Sequence, residues 1–151
     1  MGLASKNETL MPATEEQLIA AAAEAMEMAS APYSDFRVGA ALETSDGEVV
    51  KGCNIENASY GLTMCAERVA IFKAVSDGKR KFSRIAIFTA VDRLTPPCGA
   101  CRQIIWEFCG DVPVILANKT GLSKTWKMSE LLPEAFDGEC LGSKQIGRAH
   151  V

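Results

Sequence analysis

The chain has 151 residues, 48% apolar and 23% charged, with a formal net charge of −3 and an isoelectric point near 5.2. One domain of this length buries roughly 68 to 70% of its unfolded surface, so the core needs no disulfide staples. The acidic balance argues against a nucleic-acid partner, and no apolar run is long enough for a membrane span.

Met1–Leu10 is polar and carries no apolar leader core, so the six cysteines read as reduced thiols or metal ligands in a cytoplasmic protein. Residues 14 to 30 form a predicted helix: Thr14 and Gln17 have capping-box spacing, and Leu18, Ala22, Ala25, Met26 and Ala29 share one face. Pro32 ends it. Residues 37–43 and 48–53 flank Ser45-Asp46-Gly47, which predicts a β-hairpin. A second helix is predicted from Cys65 to about Val75, closed by Asp77-Gly78. Residues 79–84 hold the one basic cluster and read as a solvated loop. Residues 84–90 read as a buried strand, and after Pro96-Pro97 a third helix runs over 98–109 with Ile104, Ile105 and Phe108 inward. A strand over 112–117, a short strand over 122–128 and a helix opening at Ser129, interrupted by Pro133, complete the series. This order predicts an α/β fold: a single three-layer domain with a mixed sheet covered by helices on both faces. The core covers about residues 12–137, and 138–151 has no period and is expected to be loose.

The chemistry is concentrated in Cys65-Ala66-Glu67-Arg68 and Pro97-Cys98-Gly99-Ala100-Cys101. This array matches the signature of zinc-dependent deaminases, with a third cysteine in place of the histidine. Cys65, Cys98 and Cys101 are the predicted zinc ligands. Both clusters fall at predicted helix starts, where free N–H groups and the dipole stabilise thiolates. Three protein ligands leave zinc one open position, at which the pKa of water falls from ~15.7 to roughly 7. Glu67 is placed to manage that water's proton as the catalytic acid and base. Buried free cysteines, or a closed structural zinc site with Cys53 or Cys109 as fourth ligand, are the competing readings. Neither requires a glutamate at the second position after Cys65 or a proline before Cys98. The sole histidine, His150, is at the extreme C-terminus. Three thiolates make the centre net negative, and Arg68 is positioned in sequence to offset that charge by donating to ligand sulfurs.

These motifs, with residues 31–41, 52–61, 97–103 and 131–136, resemble the small three-cysteine cytidine deaminases across about residues 12–137. The resemblance implies hydrolytic deamination of cytidine and deoxycytidine with one zinc per chain, in a homotetramer whose active sites are completed by neighbouring subunits. It also implies that Asn54 and Glu56 hydrogen-bond the ribose 3′-hydroxyl, that Phe36 packs on the pyrimidine, and that the Ala66 N–H holds the ring carbonyl. Ala58 and Tyr60 would lie near the sugar 5′ end across a subunit boundary, and Phe136 would reach a neighbour's site. A carboxylate beside the 3′ position repels a 3′-phosphate, so Glu56 and the acidic net charge favour a free nucleoside. The rivals are a deaminase of nucleotides, of nucleic-acid bases or of a cytosine-like antibiotic, and a non-catalytic zinc-stabilised interaction module.

Overall fold

The computed structural model of the chain describes residues 10–142. Thr14 starts the first helix, α1 (Glu15–Glu27), by the reciprocal box its spacing predicted: its hydroxyl accepts from the Gln17 N–H, and the Gln17 side chain accepts from the Thr14 N–H. All five residues of the predicted apolar face are buried. The hairpin follows as β1 (Val38–Thr44) and β2 (Val49–Cys53), paired antiparallel from Gly39↔Cys53 to Glu43↔Val49. Gly47, at φ +90°, turns the chain between them.

Next come α2 (Ala66–Ser76), β3 (Phe82–Thr89), α3 (Gly99–Cys109), β4 (Pro113–Asn118), β5 (Ser123–Lys127) and α4 (Met128–Leu131). The sheet order is β2-β1-β3-β4-β5. The β3–β4 pair is parallel and the other three are antiparallel, so the sheet is mixed. The parallel pair needs a long crossover, and α3 supplies it. Alternation along the central strands divides the core between the two faces. Ala41, Ala86 and Ile115 meet Leu18 and Ala22 of α1 on one side. Leu42, Ile87 and Val114 meet Ala70, Ile71 and Ile105 of α2 and α3 on the other.

Two glycines let the helices approach this sheet. A Cβ on Gly39 would stand 1.9 Å from the Ala22 carbonyl oxygen of α1, and one on Gly52 would stand 2.5 Å from the Ala66 carbonyl oxygen and the Ala70 nitrogen of α2. Gly52 thus sets how deeply the start of α2 sits on β2. Glu43 and Arg84 face each other across β1 and β3 and form a two-pronged ion pair, Nε to Oε1 at 2.9 Å and Nη2 to Oε2 at 3.0 Å. Glu43 is buried and also accepts from the Ser83 hydroxyl and the Ala13 N–H, so the pair pins the segment before α1 to the sheet.

Several expectations are corrected. Phe108 does not point into the core: it is more than one third exposed and meets Phe72 edge to face at 6.2 Å. Ile105 takes the buried position on α3, with Ile104 packed partly against the core. The side of α3 turned to the core carries Cys101 and Ile105 with the partly buried Ile104, Trp106 and Cys109, and Phe108 stands at its edge. The 79–84 cluster is not simply solvated: Lys79 pairs with Asp46 and Glu48, and Arg80 donates to the Val75 carbonyl near the end of α2. A one-turn 3-10 helix at Tyr60–Leu62 was not foreseen. Gly138–Leu141, within the tail expected to be loose, forms another, with the Asp137 side chain accepting from the Glu139 N–H. His150 lies outside the described residues.

Candidate active site

Cys65 is the N-cap of α2 and Cys98 the N-cap of α3, both in extended backbone conformation and neither making a side-chain capping bond. Their sulfurs are therefore not spent on helix N–H groups. Cys101 lies in the first turn of α3, fully buried. The three Sγ atoms lie within 4.8 Å of one another, with Cys65 and Cys98 at 4.0 Å. A tetrahedral zinc with Zn–S near 2.3 Å sets sulfurs about 3.8 Å apart, so small side-chain adjustments close the cluster on one ion. The donor set, three soft sulfurs at two converging helix N-termini, suits zinc. Cys109, at the far end of α3 about 15 Å along its axis, and Cys53, at the end of β2, are not part of the cluster. Among the described residues the group contains these three cysteines, which matches an open zinc site better than a closed structural one.

Glu67, the second residue of α2, is only 5% exposed, and its Oε2 lies 3.5 Å from the Cys101 Sγ. Burial pushes its carboxyl above the ordinary carboxylate value, and the neighbouring Cys65 charge adds to the rise. A carboxyl raised in this way exchanges protons more readily near neutrality than a solvated one. Arg68 Nη2 stands 3.5 Å from both the Cys65 Sγ and the Thr63 carbonyl oxygen. Hydrogen bonding from Cys101, followed by the Arg68 guanidinium, holds the Cys65 thiol down at about 5. The same contact, with burial and Glu67, pushes the Cys101 thiol up.

The segment 54–56 is stitched directly beside the cluster. Ile55 exchanges both backbone hydrogen bonds with Met64, the residue before Cys65, each at 2.9 Å. On its other side, the Asn54 carbonyl accepts from the Ser30 N–H and the Glu56 N–H donates to the Ser30 carbonyl. Asn54 is buried, and its amide brackets the backbone around Phe36: Nδ2 donates to the Phe36 carbonyl at 2.7 Å, and Oδ1 accepts from the Val38 N–H at 2.9 Å. Glu56 accepts from the Tyr33 and Ser34 N–H groups and from the Ser34 hydroxyl. The structure therefore joins Phe36, Asn54, Glu56 and the cysteines through backbone bridges and the side chains of Asn54 and Glu56. Ala66 is buried as the first residue of α2, so its N–H stands outside the intrahelical ladder.

Ala58 and Tyr60 are not drawn into that group. Both are exposed, and Tyr60 stacks edge-on against Tyr33 at 6.1 Å. Phe136 is 58% exposed, and its backbone carbonyl accepts from Gln103 Nε2 at 2.7 Å. Arg102 donates to the carbonyls of Pro97 and Leu131 at 2.8 and 2.7 Å. Sequence reasoning assigned nothing to Arg102 and Gln103, although they directly follow Cys101. They tie the ligand-bearing helix to the segment that carries Phe136. Ser34 and Gly52 were likewise missed, since a serine in a turn and a glycine in a strand carry no sequence signal of their partners.

A family model for the cytidine and deoxycytidylate deaminase zinc-binding region matches residues 12–117. The chain is 51% identical over 127 residues to a cytidine deaminase of Sporosarcina psychrophila, covering 83% of this chain and 93% of that protein. It is 53% identical over 125 residues to one of Halalkalibacterium halodurans, covering 82% and 95%. A crystal structure of cytidine deaminase from Burkholderia pseudomallei superposes with a TM-score of 0.80 at 48% identity, covering 82% of this chain and all of that one.

Proposed function

The chain belongs to the family of zinc-binding cytidine and deoxycytidylate deaminases, and from this premise we propose that it hydrolyses cytidine and deoxycytidine to uridine and deoxyuridine with release of ammonia. The observation that carries the reading is the buried Glu67 carboxylate set against a cluster of three cysteine sulfurs at two helix starts. Cys65, Cys98 and Cys101 hold one zinc per chain, which, when bound, supplies the Lewis acidity that makes water a nucleophile near neutral pH. Glu67 accepts a proton from the attacking water and delivers it to ring nitrogen 3, making carbon 4 electrophilic. It then takes the remaining proton of the new hydroxyl group and gives it to the amino nitrogen. The carbon–nitrogen bond breaks, ammonia leaves and carbon 4 keeps the oxygen as a carbonyl.

Arg68 moderates the negative charge of the thiolates from its place beside Cys65. The Ala66 N–H takes the ring carbonyl oxygen, Phe36 walls the pyrimidine, and Asn54 and Glu56 receive the sugar. This free nucleoside chemistry suits a role in pyrimidine salvage in the cytoplasm. A homotetramer with shared sites gives Phe136, Tyr60 and Ala58 their use, because exposed Phe136, Tyr60 and Leu62 leave apolar surface in water on an isolated chain. The domain assignment, a single unit centred on 12–137, belongs to the same reading.

A spectrophotometric assay of the zinc-loaded protein on cytidine, deoxycytidine, cytosine and deoxycytidine monophosphate tests the activity. Turnover of the first two, with little on the others, is expected, and preference for the monophosphate or the free base overturns it. Light scattering of the active species tests the assembly, and a fully active monomer removes the shared site.

A further inference from the structure

The turn between α1 and β1 is held by more than its own backbone. Asp35 takes φ +55°, a left-handed conformation that non-glycine residues seldom adopt, so the chain around it needs external support. That support comes from Glu56, 22 residues beyond Ser34 in the sequence. The Ser34 hydroxyl donates to Glu56 Oε2 at 2.6 Å and accepts from the Phe36 N–H at 3.0 Å. Glu56 Oε1 meanwhile accepts from the N–H groups of Tyr33 at 3.0 Å and Ser34 at 3.1 Å.

An ionised carboxylate offers about four acceptor positions. Three of Glu56's are committed within the protein, and these bonds keep its carboxyl below the ordinary carboxylate value, with the Ser34 hydroxyl as the leading cause. What remains is a fixed, ionised acceptor with one free direction. Such a group accepts from a hydroxyl and repels a phosphate. The Ser34 hydroxyl is the one side-chain donor in the set, and it is also the link between Glu56 and the backbone of Phe36.

We propose that Ser34 is a positioning residue for sugar recognition: its hydroxyl fixes the Glu56 carboxylate so that the remaining acceptor direction meets the nucleoside 3′-hydroxyl. This rests on the nucleoside reading of Glu56 given above. Ser34 touches no reacting atom, so it acts on substrate binding and discrimination rather than on the chemical step.

The test compares the zinc-loaded full chain with Ser34→Ala, Ser34→Thr, Glu56→Gln and the Ser34→Ala/Glu56→Gln double variant, on cytidine and on 2′,3′-dideoxycytidine. Loss of a hydrogen bond to a charged group predicts a rise of about tenfold in KM for cytidine in Ser34→Ala, with kcat held within about threefold. KM for the dideoxy substrate should move by less than about twofold, Ser34→Thr should restore the cytidine value, and Ser34→Ala should add nothing in the Glu56→Gln background. Calorimetric titration with uridine and 2′,3′-dideoxyuridine should show the same difference in binding alone. If Ser34→Ala does not accumulate as folded protein, Ser34→Cys replaces it with the same expectation, since a thiol is a weak donor. An equal loss on both substrates, a fall in kcat in place of the rise in KM, or additive effects in the double variant overturns the role of Ser34. A parent protein that treats the two substrates alike instead overturns Glu56 as the sugar receptor, and the Ser34 proposal with it.

Discussion

Replacing Glu67 by glutamine removes one proton acceptor and leaves almost everything else in place. The side chain is 5% exposed, with one carboxylate oxygen 3.5 Å from the Cys101 sulfur. Glutamine has the same number of heavy atoms and the same reach, so neither a cavity nor a clash is created. It also removes a carboxyl that burial disfavours in its charged form, so the melting temperature of Glu67→Gln should equal or exceed that of the parent. Activity should respond very differently. A positioned acid–base group is typically worth ~10²- to 10⁴-fold, or roughly 3 to 5 kcal/mol of barrier at 1.36 kcal/mol per decade. The proposed cycle gives Glu67 two protons to move, which places the expected fall in kcat in the upper half of that range. Initial rates on cytidine, elemental analysis for zinc and a thermal melt on the same preparation measure all three quantities. A variant that deaminates cytidine within tenfold of the parent refutes the proton-transfer role. Loss of zinc from the variant refutes it differently, by making Glu67 a ligand.

Elemental analysis of single Cys→Ala variants should show zinc lost at positions 65, 98 and 101 and retained at 109 and 140, where retention by Cys65→Ala would break the ligand assignment. Gly52→Ala sets a methyl group 2.5 Å from backbone atoms of Ala66 and Ala70, which no rotamer change can relieve. It should cost at least about 2 kcal/mol and lower zinc retention by displacing the start of α2, and an unchanged melt and metal content would contradict that account. Glu43→Gln breaks an ion pair whose carboxylate is buried and should cost about 3 kcal/mol near neutral pH, a drop of about 6 to 12 °C in melting temperature. The Arg84 hydrogen bond holds the Glu43 carboxyl below its ordinary value of 4.5 in the folded state. Its stabilisation is therefore complete above pH 4.5 and disappears as pH falls through the lower folded value. The parent should lose more stability across that acid interval than Glu43→Gln, in which Glu56 and the other carboxylates held below their ordinary values still titrate, so parallel acid profiles for the two proteins would show the linkage to be wrong.

The sequence alone carried everything that depends on neighbours a few residues apart. The Thr14–Gln17 box, the period of Leu18, Ala22 and Ala25, the turn at Gly47 and the three-residue step from Cys98 to Cys101 are short-range geometry, set by helix pitch and turn chemistry. The combination of Cys65, Glu67, Pro97, Cys98 and Cys101 was legible for the same reason: each half of the site is a single helix start. Partnerships across long sequence separations were not legible. Glu43 meets Arg84 only because β1 pairs β3 in one register, and a one-residue slip of either strand would turn its side chain to the opposite face, away from its partner. Phe108 looked apolar and inward, yet the packing of α3 left it at the rim beside Phe72. Gly39 and Gly52 revealed their purpose only when a helix backbone was found against each. The Glu56 carboxylate shows the division most clearly. Glu56 was visible as a charged residue in a motif, while its restraint by Tyr33 and Ser34 arose from the fold, which brings a turn and the end of a hairpin strand within hydrogen-bonding distance.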